Sequence, residues 1–176
     1  MQRFLPLIMV LAMFLLFYVM MTDENRNPNE IQSVKIGKPV PDFTLPGLEA
    51  GEAALSTADL KTGEPILVNF FASWCVPCRA EHDSLMALSE KHGIRIIGIA
   101  YKDTPDRALG FLDELGNPFA RTAADQSGRI AIDWGVTGVP ETFVVSGDGT
   151  ITYRHWGPIV GDGMQAQVLP ALEAAK

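Results

Sequence analysis

The chain has 176 residues, of which 47% are hydrophobic, and its formal net charge at pH 7 is −7. This length accommodates one folded domain with additional segments, and the apolar content suffices for a sizeable core. The acidic balance and the absence of a Lys/Arg run argue against nucleic acid as a partner. Two cysteines are too few for a disulfide-stapled scaffold, but they are enough for one reactive pair.

The N-terminal segment is long and apolar. Phe4–Met21 contains eighteen residues and no charged side chain, which meets the lower limit for a transmembrane helix. A cleaved signal peptide is the alternative, but residues 18–22 contain no small-residue cleavage pattern. We therefore predict that residues 1–21 form an uncleaved membrane anchor. Basic residues lie on both sides of the run and do not decide its orientation, whereas the short N-terminal tail favours a domain outside the cytoplasm.

A polar stretch separates this anchor from the rest of the chain. Residues 22–35 contain several asparagines and a proline, and we predict a linker there. We assign residues 36–176 to one folded domain. Its first part, residues 36–48, contains three prolines and two glycines, which is typical of an extended edge segment and not of a helix.

The two cysteines lie where a predicted strand ends and a predicted helix begins. Ile66–Phe71 is an apolar run of β-branched and aromatic residues, which predicts a buried strand. The turn Trp-Cys-Val-Pro-Cys follows, and apolar residues then recur at helical spacing. A helix start stabilises a thiolate. We therefore predict a redox pair in which Cys75, at the exposed helix start, is the nucleophile and Cys78 is the resolving thiol.

Two other uses of the cysteines compete with redox chemistry. A structural zinc site needs four ligands, and the chain has no second Cys-x-x-Cys and no histidine pair at ligand spacing. Two inert buried cysteines are the other alternative, but the intervening Pro77 and the preceding Trp74 argue against it. We therefore predict no metal site and no other cofactor.

Predicted strands and helices alternate along the rest of the chain. A strand over residues 94–101 follows the cysteine-bearing helix, and this strand–helix–strand unit predicts two parallel strands. The sequence then predicts a helix over 104–115, a strand within 119–125, a short helix over 127–134, a hairpin of strands 142–145 and 150–156, and a final helix over 161–175 kinked at Pro170. The pattern by itself indicates only the α/β class.

Short phrases in a fixed order carry a family resemblance. The Trp-Cys-Val-Pro-Cys turn after a buried strand, with Val139–Pro140 about sixty residues later, resembles the thioredoxin superfamily. Cys-Arg-Ala-Glu-His at 78–82, Gly-Ile-Ala-Tyr-Lys-Asp at 98–103 and Gly-Val-Pro-Glu-Thr-Phe at 138–143 narrow the match. With these phrases the chain resembles the DsbE/CcmG thiol–disulfide oxidoreductases of cytochrome c maturation. The resemblance extends over about residues 36–158 and includes the N-terminal anchor.

The resemblance implies a fold and a function. The fold is a thioredoxin-like central mixed sheet flanked by helices, with an inserted helix and strand, preceded by one transmembrane helix. The function is that of a thiol:disulfide oxidoreductase that keeps the haem-binding cysteines of apocytochrome c reduced. The implied partners are apocytochrome c or a cytochrome c maturation thiol protein, and an inner-membrane electron donor of the DsbD/CcdA type. The implied location is the inner (cytoplasmic) membrane, single-pass, with the catalytic domain on the periplasmic side.

The resemblance also implies a substrate-binding site around the cysteines. Pro140 matches the cis-proline of the fold, and with Val139 it would offer main-chain groups to an extended substrate peptide. An ordinary trans turn proline is the alternative. Trp74 would pack beside the pair and contact the substrate, and it would also fill part of the core.

Two carboxylates and one tripeptide complete the predicted site. Glu81 and Glu141 are predicted to modulate the cysteine pKa by opposing the thiolate, and an exposed surface carboxylate is the alternative for each. Tyr101, Lys102 and Asp103 end the second predicted strand near the same edge of the sheet, and the resemblance implies that they contact a partner.

Two further functions stay open beside that of a cytochrome c reductant. One is a general extracytoplasmic disulfide reductase or oxidase with another client. The other is a non-catalytic module that binds apocytochrome c or haem, although a reactive Cys-x-x-Cys argues against it. A peroxidase would be expected to carry a single cysteine in a Pro/Thr-rich loop, whereas this chain carries a pair.

Overall fold

The computed structural model describes residues 5–21 and 35–176, and within the first range it describes the side chains of residues 9–20. By its internal contacts the chain divides into two units, Met1–Gln32 and Ser33–Lys176. The predicted linker falls almost entirely outside the described residues.

The described part of the first unit is one helix, α1, which spans Leu5–Met21. Its side chains from Met9 to Met20 are exposed. Within the two described ranges, no helix is both long and apolar enough to cross a membrane.

The second unit is an α/β domain. In chain order its elements are β1 (Thr44–Leu45), β2 (Leu55–Ser56), a 3-10 helix (Thr57–Leu60), β3 (Ile66–Phe71), α2 (Val76–Glu90), β4 (Ile96–Tyr101), α3 (Pro105–Leu115), β5 (Arg121–Asp125), α4 (Arg129–Trp134), β6 (Glu141–Val145), β7 (Ile151–Trp156), a π-helical turn (Met164–Val168) and α5 (Leu169–Ala174). β1 lies within residues 36–48, the segment that the sequence predicts to be extended, and it forms a small antiparallel pair with β2, which lies outside that segment.

The other five strands form one mixed sheet in the order β5–β4–β3–β6–β7. β3, β4 and β5 are parallel, whereas β6 is antiparallel to both β3 and β7. The parallel β3–α2–β4 unit and the β6–β7 hairpin confirm the predicted topology, and α3 and β5 lie between them. The result is the thioredoxin-like mixed sheet that the resemblance implies.

The sheet is covered on both faces, and five of the six residues of the central strand β3 are therefore apolar, with Asn69 as the exception. All six residues of β3 are buried. Alternate side chains of a strand point to opposite faces, so Leu67 and Phe71 join one core cluster while Val68 and Phe70 join the other. The first cluster contains both cysteines together with residues of α2, α3 and α5, and the second contains Trp134 of α4 and residues of the β1–β2 segment.

Local signals set the ends of the helices. Pro105 is at the first turn of α3, where its missing N–H costs nothing, and Gly116 ends that helix with φ of 95°. The predicted bounds of α3 are confirmed. The C-terminal segment differs, because one predicted helix is observed as a π-helical turn followed by α5. Pro170 cannot donate to the carbonyl four residues before it, and the helix changes register just ahead of it.

Candidate active site

Cys75 and Cys78 form a disulfide at the N-terminus of α2, with Cα atoms 5.3 Å apart. Cys75 is the N-cap residue of this helix, and its Sγ accepts a hydrogen bond from the Cys78 backbone N–H over 3.1 Å. This amide donor and the positive end of the helix dipole both stabilise negative charge on the reduced sulfur. The structure therefore places the pair at the helix start, as the sequence predicts.

Solvent exposure does not distinguish the two cysteines. Cys75 is 4% exposed and Cys78 is 2% exposed, so the prediction of an exposed Cys75 is wrong for the oxidised protein. The Cys75 Sγ is distinguished by its neighbour instead, since it lies 3.4 Å from the Val139 carbonyl oxygen. An assignment of Cys75 as the nucleophile therefore depends on its N-cap position and on the neighbouring loop.

The loop before β6 faces the disulfide. Its Val139–Pro140 peptide bond is cis, as the resemblance implies. An apolar cleft of about 220 Å³ opens beside this loop and is lined by Pro77, Gly138, Val139, Pro140, Trp156, Gly157 and Pro158. The Val139 carbonyl oxygen touches the Cys75 sulfur and Val139 also lines the cleft, so this residue separates the cleft from the disulfide and is a neighbour of both.

Trp74 is tied to the loop that follows β4. It is 53% exposed, and its Nε1–H donates to the Lys102 carbonyl oxygen over 3.2 Å. Among the residues that the structure describes, Lys102 is the one non-glycine residue with a positive φ, 47°. This unusual backbone conformation directs the Lys102 carbonyl to the indole. Trp74 therefore presents a fixed apolar surface next to Cys75 and is only partly core.

The three residues predicted to contact a partner differ in their surroundings: Tyr101 and Lys102 lie next to Trp74, whereas Asp103 is buried. Tyr101 lies next to Trp74, with ring centroids 6.5 Å apart, and Lys102 is exposed. Asp103 is buried, and its carboxylate accepts a hydrogen bond from the Ser73 N–H over 2.6 Å. Asp103 therefore holds the turn before Cys75, and it has little surface with which to contact a partner.

Glu81 is on the buried face of α2, the helix that begins at the cysteines. Its side chain is 0% exposed, so the alternative of a surface carboxylate is wrong. The carboxylate accepts hydrogen bonds from Asn69 Nδ2 over 2.8 Å and from the Ile159 N–H over 2.9 Å. Burial raises the pKa of Glu81 to about 7, and these two donors only partly offset the effect. Glu81 and Cys78 are three residues apart on α2, both on its buried face, which makes them neighbours.

Glu141 is also 0% exposed, but it is bound in a different way. Its Oε1 and Oε2 accept hydrogen bonds from the Arg154 guanidinium over 2.8 and 2.9 Å. Oε1 also accepts from the Thr137 hydroxyl and from the backbone N–H groups of Thr137 and Gly138. Glu141 therefore fixes the loop that leads into Pro140. The sequence did not predict these hydrogen bonds between Glu141 and the loop.

Strand alternation places the two carboxylates on opposite faces of the sheet. Glu141 shares a face with Phe143 in the core cluster on the α4 side, whereas Val144 belongs to the cluster that contains the cysteines. The guanidinium partner and the intervening strand both weaken any field of Glu141 at the sulfurs. Modulation of the cysteine pKa by Glu141 stays a prediction, and the structure favours a smaller effect than that of Glu81.

Three residues of the site were not predicted. Asn69 donates to Glu81 and, over 2.9 Å, to the Thr142 hydroxyl, and its signal is a lone amide within an apolar strand. Arg154 lies opposite Phe143 in the β6–β7 register, two pairs away from Glu141 and on the same face, so a hairpin alignment could have found it. Trp156 lines the cleft, and the sequence contains no signal for that position.

Comparison with known proteins gives a consistent result. The family model described as Redoxin matches residues 35–169. The thiol:disulfide interchange protein HelX of Rhodobacter capsulatus is 44% identical over 169 residues, which cover 96% of this chain and 94% of that protein. The thiol:disulfide interchange protein DsbE of Escherichia coli K12 is 40% identical over 171 residues, which cover 96% and 92%.

Solved structures share the same architecture. A thio-disulfide isomerase from Thermus thermophilus superimposes with a TM-score of 0.62 and 26% identity, over 78% of this chain and 97% of that one. A secreted Mycobacterium tuberculosis disulfide oxidoreductase, described as homologous to E. coli DsbE, gives a TM-score of 0.62 at 24% identity, over 75% and 95%. The second likeness shows the fold alone.

Proposed function

This chain belongs to the Redoxin family, among the DsbE-type thiol:disulfide interchange proteins, and is a thiol–disulfide oxidoreductase; from this premise we propose that it is a membrane-anchored periplasmic reductant in cytochrome c biogenesis. Its clients would be the haem-binding cysteines of apocytochrome c, or a thiol protein that carries them. The observation that carries the proposal is the disulfide at the start of α2, in contact with the loop before Pro140.

In the first step, reduced Cys75 attacks a client disulfide. Its thiolate is stabilised by the Cys78 N–H and by the helix dipole. The attack forms a mixed disulfide between Cys75 and one client sulfur and releases the other client sulfur as a thiolate. Val139 contacts the Cys75 Sγ and Trp74 precedes Cys75 in the chain, and these two residues together with Pro140 would bind the client chain during this step.

In the second step, Cys78 resolves the mixed disulfide. Its thiolate attacks the Cys75 Sγ, the second client thiol leaves, and two electrons have moved from the enzyme to the client. Cys78 is 2% exposed, so water has little access to its thiol proton. Glu81 is the neighbouring carboxylate, and its pKa of about 7 suits a base that takes this proton near neutral pH.

The proposed direction is reduction of the client. A strong oxidant such as DsbA has a potential near −120 mV because its reduced form is stabilised. Here the buried Glu81 carboxylate opposes the thiolate form of the pair, which makes the reduced protein a better electron donor. We expect a potential below about −170 mV in a redox titration against glutathione. A value close to that of DsbA would contradict the reductant role.

A trapping experiment identifies the client. In Cys78→Ala the mixed disulfide on Cys75 cannot be resolved, so clients stay attached and can be identified by mass spectrometry. Cys75→Ala is the matched control, because it keeps one cysteine at the same helix start and removes the nucleophile. Recovery of apocytochrome c or a cytochrome c maturation thiol protein only in the first variant is expected. A broad set of unrelated extracytoplasmic proteins would instead support a general disulfide reductase.

The proposed location rests on the N-terminal segment. Eighteen uncharged residues, Phe4–Met21, include the exposed apolar side chains of α1, and a lipid phase would cover them. A single-pass anchor would hold residues 36–176 on the periplasmic side, near an inner-membrane electron donor of the DsbD/CcdA type that re-reduces the pair. Retention of the protein in membranes after carbonate extraction is expected. Release into the supernatant would contradict the anchor.

A partner-contact surface is proposed beside Trp74, the residue before Cys75. It consists of Tyr101 and Lys102, whose backbone also holds Trp74. Lys102→Glu should slow exchange with the protein partner and leave exchange with a small disulfide unchanged. The pair of rates measured on each substrate tests this surface.

A further inference from the structure

One buried histidine has no role in the chemistry described above. His155 is on β7 and is 8% exposed. It lies directly opposite Thr142 of β6, and Thr142 lies opposite Asn69 of β3. Residues that are opposite each other on neighbouring strands share a face, so His155 is on the face of the sheet where Asn69 binds Glu81. A row of polar side chains therefore crosses three strands and ends at the imidazole.

The imidazole is bound to the loop that follows β7. The His155 Nε2 lies 3.4 Å from the Pro158 carbonyl oxygen. Since a carbonyl oxygen can only accept, the hydrogen of the neutral imidazole is on Nε2, which donates to Pro158. The loop returns over the ring at Gly163, where an added Cβ would lie 3.5 Å from the His155 Cε1. The ring is therefore enclosed between the sheet and this loop.

The peptide group that accepts from His155 also donates to Glu81. The Pro158 carbonyl and the Ile159 N–H belong to one peptide bond, and this N–H donates to the Glu81 Oε2 over 2.9 Å. Hydrogen bonds in a chain polarise one another, so a donor on the carbonyl oxygen makes the N–H of the same peptide a better donor. The imidazole, the peptide and the carboxylate are therefore hydrogen-bonded in series.

We propose that His155 is a positioning residue for the step in which the Glu81 carboxylate takes the proton of the Cys78 thiol. It holds the peptide between Pro158 and Ile159 in place and polarises it, and the Ile159 N–H then favours the carboxylate form of Glu81 over the carboxylic acid. The inference rests on the proposed function, because it deepens the role of Glu81 as the base. The Nε2 keeps its hydrogen when the ring takes up a second proton, so the donor is present in both forms of the imidazole.

The other charged groups next to this series are bound elsewhere. Arg154 precedes the histidine but lies on the opposite face of the sheet, where it binds Glu141. His82 follows Glu81 on α2, and its Nε2 is bound to a carbonyl oxygen at the end of α3. Burial raises the pKa of Glu81 to about 7, and the Ile159 N–H is one of the two donors that oppose this effect. A weaker donor should therefore leave the pKa of Glu81 higher still.

The experiment follows the titration of Glu81 in the full-length oxidised protein, in which both cysteines are in the disulfide and do not titrate. Carbon-13 NMR of the Glu81 carboxyl, assigned by its loss in Glu81→Gln, gives the midpoint. The variants are His155→Phe, which keeps a ring and removes the donor, and His155→Gln, whose amide can donate from about the position of Nε2. His92→Phe is the matched control, because it makes the same change at an exposed histidine just after α2.

The expected result is an upward shift of the Glu81 midpoint that depends on the donor and not on the ring. His155→Phe should raise the midpoint by about half a unit. His155→Gln should restore most of the natural value, and His92→Phe should not change it. In the reduced protein, the pH midpoint of mixed-disulfide resolution by Cys78 should move in the same direction and by a similar amount in His155→Phe.

Two outcomes would overturn the inference. The first is a Glu81 midpoint that stays in place in His155→Phe, as a merely structural role of the ring requires. The second is a neutral His155 imidazole with its hydrogen on Nδ1, which nitrogen-15 NMR of the natural protein detects without any variant, even if His155→Phe does not fold. If Glu81→Gln left the pH dependence of resolution unchanged, Glu81 would not be the base. That failure of the proposed function is distinct, because the midpoint of Glu81 in the oxidised protein would still test His155.

Discussion

Two buried carboxylates lie on opposite faces of the central sheet, Glu81 on α2 and Glu141 at the start of β6, and their partners differ. Glu81 accepts hydrogen bonds from two neutral donors, Asn69 Nδ2 and the Ile159 N–H. Glu141 accepts from Arg154 in a two-pronged ion pair and from the loop before Pro140. Both side chains are 0% exposed, so the difference lies in the partners and not in the burial.

The two glutamates differ in what their surroundings allow: Glu81 is placed for proton transfer, whereas Glu141 is placed to hold a loop. Burial disfavours the charged form of Glu81, and its hydrogen-bond donors are neutral, so its pKa rises to about 7. A carboxyl with this pKa can exchange a proton with a thiol. Glu141 has its charge compensated by a guanidinium and uses its remaining acceptor capacity on Thr137 and Gly138. In the proposed mechanism Glu81 serves the reaction, whereas Glu141 holds the loop before Pro140.

The largest expected effect comes from removal of the charge on Glu141. Glu141→Gln removes the charge that pairs with the buried Arg154 guanidinium, and loss of one partner of a buried ion pair costs about 3–5 kcal/mol in the free energy of unfolding. Urea unfolding of the oxidised protein at pH 7 measures it. The matched control is Glu81→Gln, which makes the same chemical change and leaves no cation unpaired. Equal losses of stability in both variants would contradict the different roles of the two carboxylates.

The second prediction concerns the pH dependence of stability. The pKa of Glu81 is raised in the folded protein from 4.5 to about 7, so the folded state binds more protons between these values. Stability should therefore fall as pH rises from about 4.5 to about 7, by on the order of 3 kcal/mol in total. Glu81→Gln should flatten this slope. Urea unfolding at a series of pH values tests the sign, and a slope unchanged in the variant would contradict it.

The third prediction isolates Asn69 as a positioning residue. Asn69→Leu removes a donor that favours the carboxylate form of Glu81, so the pH midpoint of the Cys78-dependent step should rise by about one unit. Single-turnover kinetics of mixed-disulfide resolution against pH would measure this midpoint. Thr142→Val is the control, because it removes the other partner of the Asn69 amide and keeps the bond to Glu81. A merely structural role for Asn69 would leave the midpoint in place.

The smallest expected effect is on the Cys75 thiolate. Glu81→Gln should lower the pKa of Cys75 by a few tenths of a unit, because a partly screened negative charge near the pair is removed. Glu141→Gln should lower it less, since Arg154 already compensates that charge. Titration of the thiolate ultraviolet absorbance in the two variants compares them directly. A larger shift in Glu141→Gln would reverse the proposed roles.

Local sequence determined the elements that present the cysteines. The apolar run Ile66–Phe71 is β3 at its predicted bounds, and Thr104 followed by Pro105 marks the start of α3. The position of the cysteines at a helix start followed from the same local pattern. These features depend on residues within one or two turns of each other, and for that reason the amino-acid order by itself suffices for them. The cis bond at Pro140 came from the family resemblance instead.

Only the tertiary structure decided which polar groups meet inside the protein. Asn69 and Thr142 are 73 residues apart in the chain, and Glu81 and Ile159 are 78 apart, yet each pair is hydrogen-bonded. Strand order and register create these contacts, and strand order in turn depends on how both faces of the sheet are covered. The partner of Glu141, the pKa of Glu81 and the position of Trp156 at the cleft all follow from that long-range packing, which no local pattern encodes.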